Sequence, residues 1–146
     1  MSSATAPEPA DDLAASLGQD GPDEIDAKSG RAVVRFRAAL RMCHSGGVVQ
    51  GGFVAGWLDA AMSRAAIGMA GMHMAPMTLE LKVSYFAPVG PGPVIAEGWV
   101  ERRGRSTCFL EGRLLNAAGE VLAKASSTAR MIERAKVVAR AASREG

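Results

Sequence analysis

One acidic residue, Asp59, stands in the middle of the most apolar stretch of the chain, among neighbours from Phe53 to Met62 that are otherwise apolar or glycine. Burying an ionised carboxylate without partners is costly, so this side chain is expected to be paired, protonated or facing a cavity. Arg64 lies five positions on, which is a poor spacing for an ion pair within one helix, whereas Ser63 lies four positions on and shares the helix face. Asp59 is therefore either half of a structural ion pair or a reactive acid.

The sequence Gln50-Gly51-Gly52 stands at the expected start of the same helix. The N–H groups of a first helical turn have no internal partner, and the helix dipole favours negative charge beside them. A glycine at this point lets a thioester carbonyl approach the backbone, as in an oxyanion hole. The alternative is a glycine-rich turn that merely enters a helix.

These two features cannot act on one carbonyl group within a single helix. Gly51 and Asp59 are eight residues apart, about 12 Å at the usual helical rise. A shared site would require Asp59 of one subunit to face Gly51 of another, which a dimer with a continuous sheet would supply.

Other chemistry is not expected. Cys43, His44 and His73 lack the spacing of a metal site, and adjacency alone does not make Cys43 and His44 a nucleophile–base pair. There is no phosphate-binding loop, dinucleotide fingerprint or nucleophile elbow. Four methionines near the helix end either belong to the core or line an acyl pocket: Met69, Met72, Met74 and Met77.

The elements that must position these residues follow from hydrophobic periodicity. Residues 31–40 alternate like a half-buried strand, and residues 53–70 form a long helix that is apolar nearly all round and should be buried. After a loop at 72–77, four strand-like segments follow, at 78–86, 94–102, 106–115 and 121–132. The pattern predicts a two-layer α+β fold in which one helix packs on an antiparallel sheet that ends in a four-stranded meander.

Composition sets the domain boundaries and the environment. Residues 1–20 are predicted to be a flexible acidic leader, residues 21–134 one domain, and residues 135–146 a C-terminal tail. Residues 1–26 carry seven acids and no Lys or Arg, so the other 120 residues carry 17 bases against 8 acids, which suits an anionic partner. Two cysteines and no secretory signal favour the cytoplasm, the apolar stretch is too short to span a membrane, and no basic run interleaved with aromatics indicates nucleic acid.

Several ordered motifs resemble one known family. They are residues 46–52 (Gly-Gly-Val-Val-Gln-Gly-Gly), Asp59, residues 77–89, residues 103–105 (Arg-Gly-Arg) and residues 116–123. Together they resemble the phenylacetate-degradation (PaaI-like) branch of the hotdog-fold thioesterases, which also includes 4-hydroxybenzoyl-CoA thioesterase. The resemblance spans about residues 31–132. It implies a hotdog fold with a five- to six-stranded antiparallel sheet, a homodimer or dimer of dimers, and hydrolysis of an acyl-CoA with no cofactor besides the coenzyme A of the substrate.

The resemblance also implies roles for individual residues. Asp59 would be the nucleophile or general base, Gly51 would donate its N–H to the thioester oxygen beside Gly52, and Ser63 would position the acid or the water. Thr78 would contribute a hydroxyl from the partner subunit. Four residues fall where similar enzymes contact the coenzyme A nucleotide: Arg103, Arg105, Ser106 and Thr107.

The chain departs from the family at two positions. Gln50 replaces the usual histidine, and it can donate and accept hydrogen bonds but cannot titrate. His44 stands where the family has Asn or Gln, and it either takes over polarisation of the carbonyl or is an ordinary loop histidine. Two alternatives to hydrolysis therefore stay open: a non-catalytic acyl-CoA-binding module and an enoyl-thioester hydratase that uses His44.

Overall fold

The computed structural model describes residues 12–144, in which one long helix lies across a six-stranded antiparallel sheet. The helices are α1 (Asp12–Ser16), α2 (Gly51–Ala70) and α3 (Arg134–Ser143). The strands are β1 (Glu24–Asp26), β2 (Arg31–Ala38), β3 (Cys43–His44), β4 (Val48–Val49), β5 (Met74–Tyr85), β6 (Gly92–Arg103), β7 (Thr107–Asn116) and β8 (Val121–Glu133). β3 and β4 form a separate two-stranded ribbon before α2. The predicted α+β hotdog architecture, with a central helix and five to six antiparallel strands, is confirmed.

The order of the strands corrects one prediction. The sheet runs β1-β2-β6-β7-β8-β5, so only β6, β7 and β8 form a meander, and the predicted four-stranded meander is wrong. β2 occupies one side of β6 and β7 the other, which leaves β5 to pair with β8 at the far edge. β5 also begins earlier than expected, at Met74, because residues 74–77 pair with the end of β8. One long side of β5 is consequently a free edge of the sheet.

Two paired glycines set the distance between α2 and the sheet. Gly98 on β6 and Gly112 on β7 lie opposite each other. A Cβ atom on Gly98 would lie 2.5 Å from the backbone of Ala61 and Met62, and one on Gly112 would lie 3.1 Å from Met62 Cγ. The helix backbone therefore rests directly on the strands, a closeness that only glycine permits.

The opposite side of α2 is covered by the segment 12–26. The Trp57 indole donates a hydrogen bond to the Leu17 carbonyl at 2.7 Å, and Arg64 forms an ion pair with Asp23 at 2.6 Å. Ile25 packs over Gly68. The helix is thus enclosed between the sheet and this segment, which explains why it is apolar on nearly every face.

The predicted leader divides into two parts. Residues 1–11 lie outside the described residues. The end of the predicted leader differs from the expectation of a flexible segment, because Leu17 packs against the core and Gln19 forms a bridge with Phe36 on β2. Most of the predicted C-terminal tail lies in α3, which packs loosely on the ends of β5 and β8 with none of its residues buried. Within residues 12–144, no helix has the length and hydrophobicity needed to cross a bilayer.

The glycine contact predicts a large effect of one added methyl group. Gly98→Ala should lower the free energy of unfolding by about 1–3 kcal/mol or more, because the methyl meets helix backbone rather than a flexible side chain. Gly90→Ala is the matched control, since nothing lies within 4 Å of its Cβ position. Urea unfolding at one protein concentration measures both variants. Equal midpoints for the two would show that the helix does not rest on Gly98.

Candidate active site

Asp59 lies half-buried in the middle of α2, on the side that faces β5. The Thr78 hydroxyl donates a hydrogen bond to Asp59 Oδ1 at 3.3 Å, and no Lys, Arg or His among the described residues forms an ion pair with this carboxylate. Arg64, on the same helix, pairs with Asp23 instead. The carboxylate therefore keeps most of its hydrogen-bonding capacity for another molecule.

Burial raises the pKa of the Asp59 carboxyl above its ordinary value of 3.8, and the hydrogen bond from Thr78 partly opposes this rise in pKa. A carboxylate whose charged form is destabilised in this way is a stronger base than one in water.

Thr78 reaches Asp59 of its own protomer. The resemblance implied that this hydroxyl comes from the partner subunit. In the structure it contacts Asp59 of the same chain, because β5 runs along the edge of the sheet that Asp59 faces. A further hydroxyl lies close by on β8. Ser127 is 5% exposed, on the helix-facing side between Ala125 and Ala129, and its hydroxyl finds no hydrogen-bond partner within residues 12–144. Ala129 is the register partner of Thr78.

The start of α2 presents free backbone donors. Gln50 is the N-terminal cap, with φ −62° and ψ 137°, and its side chain makes no capping hydrogen bond. The N–H groups of Gly51 and Gly52 donate to no acceptor in the described part of the chain, as the geometry of a first helical turn leads one to expect. A Cβ on Gly52 would lie 2.9 Å from Gln50 Oε1, so the absence of a side chain at Gly52 makes room for the Gln50 amide.

Tyr85 is a site residue that the sequence analysis missed. Its hydroxyl donates to the Gly51 carbonyl at 2.7 Å and fixes the end of β5 to the start of α2. In the sequence, Tyr85 is only the last apolar position of an alternating strand. The one signal for a further role was that a tyrosine hydroxyl near a core usually forms a hydrogen bond.

An apolar cavity of about 360 Å³ opens beside Gly51 and Tyr85. The cavity is lined by Val48, Val49, Gly51, Val54 and residues 85–89. It can take a small apolar group next to the free N–H groups of the helix start.

The other predicted site residues are scattered. Ser63 lies half-buried one turn beyond Asp59, and His44 is exposed on β3, where its Nδ1 lies 3.2 Å from the Ser45 carbonyl oxygen. The turn between β6 and β7 carries the predicted nucleotide-binding residues Arg103, Arg105, Ser106 and Thr107, of which only Thr107 is half-buried.

Within one protomer the structure brings Asp59 together with Thr78, and Gly51 together with Tyr85. His44 is not brought to Asp59. The four methionines do not form one cluster, since Met69 packs against Gly30 and Met72 is exposed, whereas Met74 and Met77 line one cavity. Among residues 12–144, no group of three or more His, Cys, Asp or Glu side chains is arranged to hold a metal ion.

Comparisons with known proteins identify the family of the chain. The family model of the thioesterase superfamily matches residues 46–123, more than half of the chain. A curated Saccharolobus solfataricus protein named as an esterase is 32% identical over 105 residues, which are 69% of this chain and 71% of that protein.

Solved structures show the same fold. A Ralstonia eutropha protein described as a thioesterase related to phenylacetic acid degradation is 27% identical, with a TM-score of 0.77 over 85% of this chain and 92% of that one. The Escherichia coli PaaI protein, at 20% identity, has a TM-score of 0.74 over 84% of this chain and 86% of that one, and it shows the fold alone. On the family model and the curated relative, the chain belongs to the thioesterase superfamily and is a hydrolase.

Proposed function

We propose that this hydrolase cleaves acyl-CoA thioesters, with Asp59 as the nucleophile or general base and the Gly51 N–H as the oxyanion donor. The observation that carries the proposal is Asp59 itself. It is a half-buried carboxylate on an apolar helix, with a raised pKa, one hydrogen bond and no ion pair among the described residues. A structural carboxylate would be expected to have more partners, because an incompletely paired buried charge destabilises the fold.

The chemistry follows two routes that share the same groups. As a general base, Asp59 takes a proton from water, the hydroxide adds to the carbonyl carbon, and the C–S bond breaks as the thiolate regains the proton. As a nucleophile, Asp59 adds to the carbonyl, expels the thiolate and forms an anhydride that water hydrolyses. In both routes negative charge develops on the carbonyl oxygen, where one backbone donor contributes about 3–4 kcal/mol.

A second copy of the chain is part of the proposal, because Gly51 and Asp59 do not meet within one protomer. The free edge of β5 supports an association at that edge. Leu79 is 65% exposed, and Leu81, Tyr85 and Phe86 are exposed beside it. A long, unpaired and partly apolar edge strand is a template for pairing with another strand.

The register of β5 indicates how two copies would align. Thr78, near one end of the strand, contacts Asp59, and Tyr85, at the other end, contacts Gly51. Antiparallel pairing of β5 with its own copy, centred between Leu81 and Lys82, would place Thr78 of one subunit opposite Tyr85 of the other. Asp59 of one subunit would then lie beside the helix start of the second, with Gln50 and Gly52 flanking the carbonyl.

The remaining predicted residues have supporting roles in this proposal. The cavity beside Gly51 would receive the acyl group, and Ser63 would help to position Asp59 or the water. Two free thiols, Cys43 and Cys108, suit a reducing compartment such as the cytoplasm.

Of the two alternatives, the binding module is the better supported. The non-titrating Gln50 at the helix start is the feature that favours a module that binds acyl-CoA without cleaving it. A hydratase would need a histidine side chain close to the acid. The His44 ring instead contacts the carbonyl oxygen of its neighbour Ser45.

The first prediction concerns Asp59. Asp59→Asn should lower kcat for acyl-CoA hydrolysis about 10²–10⁴-fold, because the amide can neither attack nor take a proton. Thiol release from a panel of short, aryl and long acyl-CoAs measures this. Asp20→Asn is the control, since Asp20 is exposed and its distance of 3.8 Å from Arg37 makes a weak pair. Equal rates for wild type and Asp59→Asn on every thioester would reject Asp59 as the group that cleaves the thioester.

The same variant should become more stable relative to wild type as pH rises. Between pH 3.8 and the raised pKa of Asp59, the folded state binds more protons than the unfolded state, so wild-type stability falls as pH increases. Asp59→Asn lacks this fall. Its free energy of unfolding should therefore exceed that of wild type at pH 7 and approach it below pH 3.8.

The second prediction concerns Thr78. Thr78→Val removes the hydrogen bond that lowers the Asp59 pKa, so the acidic limb of the kcat/KM profile should move to higher pH. Thr78→Ser keeps the hydroxyl and should leave the limb in place. An unmoved limb in Thr78→Val would mean that another group controls the profile.

The third prediction tests the shared site by complementation. Gly51→Pro deletes the proposed oxyanion donor at a position that tolerates proline, since Gln50 already has the ψ of 137° that a residue before proline prefers. Refolding equal amounts of Gly51→Pro and Asp59→Asn, each nearly inactive alone, should restore about one quarter of wild-type activity. Half of the dimers are then mixed, and each mixed dimer has one intact site of two.

Gly51→Ala is the control. Like proline, alanine adds a Cβ atom 3.1 Å from the Tyr85 hydroxyl oxygen, but it keeps the backbone N–H. If the site lay within one protomer, every site in the mixture would carry one of the two substitutions. No activity would then return on mixing.

A further inference from the structure

A second, larger cavity lies at the end of the sheet where α3 packs on β5 and β8. It measures about 930 Å³ and lies between α3 and the adjoining ends of β5 and β8. Its apolar lining includes Met74, Met77, Ile132 and Val137. We call this cavity the α3 groove. Its volume lies at the upper end of the range of small-molecule sites.

The charge of the α3 groove is strongly positive. Four cationic residues line it: Arg130, Lys136, Arg140 and Arg144. The one acidic lining residue is Glu133, whose carboxylate lies 3.9 Å from Lys136 Nζ. The three arginines form no ion pair with the described residues. The groove therefore carries an excess of three positive charges.

The arrangement of these cations favours an anionic ligand. Lys136 and Arg140 lie four residues apart on one face of α3, and Arg144 follows four residues later as the C-cap of the helix, a spacing at which like charges repel. The helix dipole favours cations near its C-terminus, which accounts for Arg140 and Arg144. It does not account for Arg130, which lies across the groove on β8. An anion between the two walls would offset the repulsion and bind two guanidinium groups in the way they bind phosphate.

The α3 groove also lies close to the candidate active site. Met77 lines the groove, and the next residue, Thr78, donates to Asp59. Ser106, from the turn between β6 and β7, lines the groove as well, whereas Arg103 and Arg105 do not. In the proposed dimer, β5 pairs over Thr78–Tyr85, which leaves residues 74–77 beyond the paired segment. A flexible chain can therefore pass around the start of β5.

Resting on the proposed function, we propose that the α3 groove binds the 3′-phosphorylated ADP portion of coenzyme A. The phosphates contact Arg130, Arg140 and Arg144, the adenine lies on the apolar wall, and the pantetheine arm leads past Met77 to Asp59. This location differs from the turn at Arg103 and Arg105, and it gives the loosely packed α3 a role in substrate binding.

The test measures binding separately from hydrolysis, with coenzyme A itself as the probe in isothermal titration calorimetry. Arg140→Glu with Arg144→Glu should weaken coenzyme A binding at least about tenfold, since charged hydrogen bonds to phosphate are lost. Arg130→Gln is a second variant that leaves α3 intact, and it should weaken binding in the same direction. Lys124→Glu changes an exposed charge on the same strand as Arg130 outside the groove, and it should bind as wild type does.

Fragments of coenzyme A show which part of the ligand contacts the α3 groove. Wild type should bind coenzyme A more tightly than dephospho-coenzyme A, and this difference should disappear in the groove variants. Adenosine 3′,5′-bisphosphate should compete with coenzyme A, whereas pantetheine should bind all variants equally.

Two results would overturn the proposal. One is unchanged coenzyme A affinity in the groove variants, and the other is a loss confined to Arg103→Glu and Arg105→Glu, which would place the nucleotide at the turn. These outcomes are independent of catalysis. Loss of hydrolysis in Asp59→Asn with unaltered coenzyme A binding in the groove variants would reject the groove and keep the thioesterase.

Discussion

The position of α2 on the sheet depends on two paired glycines: Gly98 contacts the helix backbone, and Gly112 contacts the Met62 side chain. These contacts hold residues 61 and 62 against the middle strands, and Asp59 lies less than one turn away. Any increase in the distance between α2 and the sheet would move the Asp59 carboxylate relative to Thr78 at the sheet edge. A distance of 3.3 Å between two side chains thus depends on two residues that have no side chain.

The same helix carries two charged residues, Arg64 and Asp59, and their surroundings differ. Arg64 has an ion pair with Asp23 at 2.6 Å and a hydrogen bond to Gln19 at 3.0 Å, so its charge is largely neutralised within the protomer. Asp59, five residues earlier, has one hydroxyl partner and a raised pKa. The fold therefore tolerates at Asp59 an unfavourable burial that it compensates at Arg64, which is typical of a group reserved for a ligand.

The sequence predicted the elements well because their signals are local. Alternation identified β2 and the later strands, apolar residues on all faces identified the buried α2, and the isolated acid drew attention to Asp59. Strand order was predicted wrongly, because whether β5 pairs with β6 or β8 depends on contacts distant in sequence. The hydrogen bond from Tyr85 to Gly51 and the docking of residues 12–20 on α2 were missed for the same reason. Gly98 and Gly112 gave no signal, since a glycine within a strand has several explanations.

The free edge of β5 has a consequence for the synthesis of the protein in the cell. A newly made protomer exposes unpaired backbone groups together with Leu79 and Leu81 until something covers them. In the proposed dimer, self-association and aggregation would compete for this one surface, at relative rates that depend on concentration and temperature. High-level expression at elevated temperature therefore favours inclusion bodies, whereas slow production allows assembly to outpace misassembly.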